Sequence, residues 1–338
     1  MQTKSAEEKN IDHPRKTRSQ IPYGWIKNWS WLLWIVGSLG VLLTLVSSLG
    51  VKVGGAHRWL QVSSQFRWEP AEFLKLSFPL LFASLLGAGE SSWLKRFPIS
   101  VMGIIIVGPL MLLLRQPDFG SFAIILITAV GLLFAIGLRW RYLVFSFLTI
   151  IPIFTYLILM KDYRRARILA YLDPWSDPEQ KGFQLIQSMM SFSSGGFFGS
   201  GLGRGQGKLF FLPEAHTDFT LAVLGEEGGF VGFVMIFLLY AFIVWKGFQI
   251  SLRAKDPFDR IFSLGLSTVF GMSVMINMGV AMGLLPTKGL TLPFLSYGGS
   301  HIIATCLFFG ILLNVEKQVD SQLSGSHSAR SWKTSGGH

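Results

Sequence analysis

The run Gly228-Gly-Phe-Val-Gly-Phe-Val-Met-Ile-Phe-Leu-Leu-Tyr-Ala-Phe-Ile-Val-Trp245 decides the fold class. It carries no charge over a length close to the roughly 20 apolar residues that a helix needs to cross a bilayer. Working outward from it, similar segments recur near 31–49, 70–88, 97–114, 119–138, 143–160, 219–245, 258–283 and 298–316. The chain of 338 residues is 50% hydrophobic and only 14% charged, against about 25% charged in a soluble domain. These features predict an all-α polytopic membrane protein of about eight transmembrane helices. The first apolar run follows a polar stretch, so it reads as a retained span and not as a cleavable leader.

The net charge of +11 would suggest nucleic acid in a soluble protein, but here the basic residues sit in loops. With the N-terminus inside, the cytoplasmic loops carry Lys95 and Arg96, then Arg139 and Arg141, then Arg253, Lys255 and Arg260. That is the positive-inside pattern, and it predicts both termini in the cytoplasm and no nucleic-acid partner. The organisation follows: a basic tail at 1–30, a transmembrane domain at 31–316 and a second tail at 317–338. The lone Cys306 allows no intrachain disulfide.

The outer side receives one long segment, 161–218, and loops of this length in compact proteins tend to be functional. Within it, Asp177-Pro178-Glu179-Gln180 reads as a helix start with Pro at the first position. Phe183, Leu185, Ile186, Met189 and Met190 then suggest an amphipathic helix at the interface. The run Ser194–Gly207 must be loop or turns, and it lacks the lysine spacing of a P-loop.

Asp218 falls where this segment meets a membrane helix. It reads either as an N-cap or as a carboxylate facing a wet cleft as general base, and the two roles are compatible. Glu226 and Glu227 lie eight or nine residues on. They are either buried at membrane depth, which requires a cavity or a partner, or held near the headgroups by a helix that starts late, at about Gly228. Glu72 and Lys75 share one helix face after Pro70, as an ion pair or as part of a site. Arg58, Arg67 and Arg115, with Arg164, Arg165, Arg167, Arg204, Lys208 and Lys288, are outer-side cations. They suit either lipid anchoring or an electropositive cleft for a pyrophosphate headgroup. Prolines and a glycine around Lys288 suggest a re-entrant or kinked element. The histidines lack metal-ligand spacing.

The runs Arg115-Gln-Pro-Asp-Phe-Gly120, Pro213-Glu-Ala-His-Thr-Asp-Phe219, Gly225-Glu-Glu227 and Leu285-Pro-Thr-Lys-Gly-Leu-Thr-Leu-Pro-Phe-Leu-Ser-Tyr-Gly-Gly-Ser300 resemble the SEDS family, the FtsW, RodA and SpoVE group. The resemblance extends from about Gly55 to Glu316, and Asp173-Pro-Trp-Ser-Asp-Pro178 leans toward the FtsW, or division, branch. It implies a peptidoglycan glycosyltransferase that polymerises lipid II on the outer face of the cytoplasmic (inner) membrane, at the division septum. Undecaprenyl pyrophosphate is released, and the partners are a class B, FtsI-like penicillin-binding protein and other division proteins. The implied essential acid is Asp218, with Arg58, Glu72, Lys75, Arg115, Asp118, Glu214, His216, Thr217, Lys288 and Ser296 as implied substrate-binding residues. No cofactor is required by the pattern beyond a candidate divalent cation, magnesium or manganese. The family's usual ten spans exceed the count here by the first two, and His301 stands where the family usually has Ser. A lipid II flippase and a non-catalytic scaffold that activates the penicillin-binding protein are the competing readings.

Overall fold

The computed structural model describes the chain from Tyr23 to Ser335, leaving aside 48, 54–55, 64–66, 88–98, most of 143–161, 180–181, 206–216, 288 and 290. Helix α1 (Tyr23–Val46) leads into a small antiparallel sheet of β1 (Gly50–Val53), β2 (Ala56–Gln61) and β3 (Arg67–Trp68), paired in that order. There follow α2 (Pro70–Gly87), α3 (Ile99–Arg115), α4 (Phe119–Ala135), α5 (Asp162–Leu172), a short 3-10 turn (Pro174–Ser176) and α6 (Phe183–Gly195). Three long helices close the chain: α7 (Thr220–Arg253), α8 (Pro257–Ala281) and α9 (Gly299–Ser335).

Among the described residues, α1, α2, α7, α8 and α9 are long and apolar enough to cross a membrane, and α3 and α4 are shorter apolar helices. These seven correspond to seven of the eight expected spans; most of the remaining one, 143–160, lies outside the described residues. Burial sorts them into layers. The spanning windows of α2 and α8 are 83% and 72% buried, while that of α7 is 11% buried. So α2 and α8 form the hub, and α7 turns an apolar face outward as a lipid-facing helix does. The hub packs Leu74, Phe78 and Leu81 of α2 with Phe258, Phe262 and Leu266 of α8. Small residues permit the close approach: a methyl group on Gly87 would lie 2.6 Å from the backbone of Phe258, and one on Gly265 2.8 Å from Pro79. Polar pairs lock the rim, with Ser30 and Ser84 hydroxyls 2.7 Å apart and the Trp34 indole donating to Ile105 O at 2.7 Å.

Helix α7 breaks at Gly229, where φ is 64° and ψ −164°, a region open essentially to glycine alone. The glycine-rich loop after α6 satisfies the break. Phe230 N donates to Gly196 O at 3.0 Å and Val231 N to Phe197 O at 3.2 Å. In return, Ser200 N donates to Glu226 O at 2.9 Å and Gly201 N to Glu227 O at 3.1 Å. Irregular backbone survives at membrane depth only when its polar groups are paired in this way. Glu226 and Glu227 are accordingly buried, and Glu227 Oε2 accepts from Gly203 N at 3.0 Å. Both sequence readings of these acids are thus partly met: α7 starts before them, and its break follows directly after them.

Two local expectations are corrected. Asp177, Pro178 and Glu179 do not start a helix: Gly182 N closes onto Asp177 O at 2.9 Å, and α6 begins at Phe183. Asp218 is not an N-cap, because α7 is preceded by Phe219 at the cap and carries no side-chain cap bond.

Candidate active site

Asp218 is positioned from below. The next residue, Phe219, is 2% exposed and anchors in a small cluster with Ile124 of α4 and Val269, Ile276 and Val280 of α8. Asn277 of α8 donates its side-chain amide to Asp218 O at 3.3 Å. Burial of one neighbour and a bond to the backbone leave the carboxylate half-buried at the start of α7.

The carboxylate and a guanidinium converge on the loop between α8 and α9. A methyl group added at Gly289 would sit 3.2 Å from Asp218 Oδ2 and 3.5 Å from Arg58 Nη1. Arg58 comes from β2, so the small sheet exists at the right place to deliver it. Its other terminal nitrogen, Nη2, donates to Pro117 O at 2.7 Å. The Arg115–Gly120 run therefore contributes a carbonyl here. Asp118 in the same run is 2% exposed and caps α4, accepting from Ser121 N at 3.3 Å.

A second group lies on the adjoining face of α2. Glu72 Oε1 accepts from Lys75 Nζ at 2.7 Å, and Glu72 Oε2 pairs with His301 Nδ1 of α9 at 3.1 Å. All three side chains are buried. They line a small cavity of about 40 Å³ together with Ser273, Pro293 and Thr305, room for at least one water. Ser273 stands one turn from Asn277 on α8, so the cavity adjoins the floor beneath Asp218.

Glu69, just before α2, was missed from sequence. Burial pushes its carboxyl up to about 8, helped by the negative charges of Glu72 and Asp118. Its proximity to Pro70 and its three-residue spacing from Glu72 were visible in the sequence, but a charge cluster completed by Asp118 and Arg58 from other elements was not. Perturbed carboxyls of this kind concentrate at functional sites. Asn277 and the contact of His301 with Glu72 were missed as well, for the same reason of long separation along the chain.

The other expected site residues divide clearly. Ser296 is 2% exposed, accepts from Leu292 N at 2.8 Å and meets Thr220 Oγ1 at 3.3 Å. It shapes the loop carrying Gly289 and ties it to the start of α7. Thr217 supplies its carbonyl to Thr220 Oγ1 at 3.3 Å. The Arg115 side chain is exposed, and no contact draws it into the group formed by Asp218, Arg58 and Gly289. Glu214, His216 and Lys288 lie outside the described residues, as does Lys208. Among the described residues no three His, Cys, Asp or Glu side chains are grouped to hold a metal ion.

Comparison with known proteins shows the family. The family described as cell cycle protein, that of FtsW, RodA and SpoVE, matches residues 17–321. A probable peptidoglycan glycosyltransferase FtsW of Geobacter metallireducens is 42% identical over 281 residues, 82% of this chain and 74% of the relative. Stage V sporulation protein E of Bacillus subtilis is 36% identical over 88% of this chain and 81% of its own. Among solved structures, a chain of a peptidoglycan synthase complex that coordinates polymerisation and crosslinking superposes with a TM-score of 0.69 at 30% identity, covering 88% of this chain and 84% of that one. The rod shape determining protein RodA of Thermus thermophilus gives 0.61 at 28% identity, covering 88% and 81%. The chain is an integral membrane protein and belongs to the FtsW, RodA and SpoVE family, the SEDS family, whose FtsW members among these relatives carry the name peptidoglycan glycosyltransferase.

Proposed function

We propose that this protein polymerises lipid II into glycan strands on the outer face of the cytoplasmic membrane, working at the division septum with a class B penicillin-binding protein. The observation that carries the reading is the convergence of the Asp218 carboxylate and the Arg58 guanidinium on Gly289. Glycosyl transfer from a lipid pyrophosphate needs both kinds of group. The acceptor sugar hydroxyl is a weak nucleophile, and a placed carboxylate takes its proton as it attacks the anomeric carbon of the donor. General base catalysis of this type contributes about 10²–10⁴-fold. The carbon–oxygen bond to the pyrophosphate breaks on the opposite face, so the anomeric centre inverts. Negative charge grows on the leaving pyrophosphate, and a preorganised guanidinium stabilises it without reorganisation. In this reading Asp218 is the base, and Arg58, held by Pro117 O, is the fixed cation. Glu72 and Lys75 hold the floor of the cleft. The synthase complex among the solved structures supports a penicillin-binding partner.

The test uses purified protein and lipid II in detergent micelles, which have no second side. A polymerase yields glycan strands and free undecaprenyl pyrophosphate there. A flippase, or a scaffold lacking chemistry of its own, yields neither, and an absence of strands even with the partner and a divalent cation added would overturn the reading.

A further inference from the structure

His301 lies at the start of α9, is 5% exposed, and faces Glu72 of α2 through Nδ1 at 3.1 Å. A carboxylate only accepts, so Nδ1 carries the proton in this contact. The far ring nitrogen, Nε2, is buried and has no hydrogen-bond partner. An unpaired buried ring nitrogen is costly in a purely structural histidine. The ring also lines the cavity that holds Lys75, Ser273 and Thr305. One residue earlier, the Ser300 hydroxyl donates to Arg67 O at 2.9 Å and accepts from Glu69 N at 3.0 Å. Thus the first turn of α9 is fastened to the β3–α2 corner at two consecutive residues.

We propose that His301 is a positioning residue of the cleft: it holds the Glu72 carboxylate through Oε2 while Lys75 holds it through Oε1, so that one carboxylate ties α2 to α9. The inference rests on the function proposed above and deepens it. The charged groups around the ring are known from each side. Glu72 and Lys75 come from α2, and Glu69 and Asp118 lie within electrostatic reach of Lys75. From α8 the cavity receives only Val269, Phe270 and Ser273, and from α9 itself Ala304, Thr305 and Phe308, all uncharged. His301 and Lys75 hold different oxygens of Glu72, so the histidine fixes the carboxylate against α9 without displacing its ion pair on α2.

The experiment compares wild type, His301→Asn and His301→Ala in kcat and KM for lipid II and in melting temperature. Asn places an amide N–H near the position of Nδ1. His301→Ala should lose about tenfold in kcat with KM little changed, because Glu72 loses its tie to α9, and His301→Asn should recover most of that rate. Full activity in His301→Ala would overturn the inference, as would a His301→Asn that melts like wild type and is as slow as His301→Ala. If wild-type protein makes no glycan, the polymerase reading falls by itself. The melting comparison then decides the inference: a melting temperature lowered in His301→Ala and restored in His301→Asn upholds the shared carboxylate, and equal melting temperatures in all three reject it.

Discussion

Asp218 Oδ2 and Arg58 Nη1 meet at one point beside the backbone of Gly289, 3.2 Å and 3.5 Å from where a side chain there would begin. The first comes from the start of α7, the second from β2, and the point itself from the loop between α8 and α9. Replacing Gly289 by Ala therefore puts a methyl group between base and cation. Polymerisation by Gly289→Ala should drop by about tenfold or more, a barrier change near 1.4 kcal/mol per tenfold. Its melting temperature should stay near wild type, since the backbone there is not left-handed. An unchanged initial rate would show that the point is not on the reaction path.

Arg58 does two things with one guanidinium. Nη2 is spent on Pro117 O at 2.7 Å, which fixes the plane, and Nη1 is turned toward the Asp218 side. Lysine has one nitrogen and cannot do both. Arg58→Lys should lose about 10–100-fold in kcat/KM, the equivalent of one charge-assisted hydrogen bond at about 1.5–3 kcal/mol. Steady-state kinetics on lipid II check this, and a rate within twofold of wild type would contradict it.

Glu72 and Lys75 are 7% and 4% exposed at their side chains and bonded at 2.7 Å. Removing one partner strands a buried charge, at about 3–5 kcal/mol. Lys75→Met should therefore melt far below wild type, and Glu72→Gln/Lys75→Met should recover most of the loss. Neither should recover full polymerisation. Thermal unfolding in detergent reads the first statement and the glycan assay the second.

Glu69 gives a pH prediction with a definite sign. Burial pushes its folded carboxyl up to about 8, from an ordinary value of 4.5. The folded state thus holds a proton that the unfolded state releases between these values, so this residue's contribution to stability is full below about pH 4.5 and declines as pH rises toward 8. Glu69→Gln mimics the protonated form and should melt like wild type at pH 5 and above it at pH 8.5. Parallel melting curves across that range would exclude the perturbed carboxyl.

What the sequence made legible follows the range of the forces involved. Transmembrane helices were readable because hydropathy is local to each segment: the windows around Leu74 and Phe262 announce themselves without knowledge of any partner. Asp218 and the Glu72–Lys75 pair were also within reach, the latter because three residues on a helix fix a face. The β2 strand that carries Arg58 was not, since four to six residues with a register shift between Val51 and Lys52 give little periodic signal. Asp177 misled because its carbonyl closes a turn onto Gly182, a contact set by packing against Pro174 and not by the capping pattern. Glu69, Asn277 and His301 gain their meaning only from residues on other elements, which no local window contains.

The most direct measurement is glycan polymerisation from purified lipid II by wild-type protein beside Asp218→Asn, each with the penicillin-binding partner present. Asn keeps the size and the backbone bond to Asn277 while removing the base. The account predicts long strands from wild type and a loss of about 10²–10⁴-fold in Asp218→Asn at an unchanged melting temperature. Strands of equal yield from a folded Asp218→Asn would contradict it.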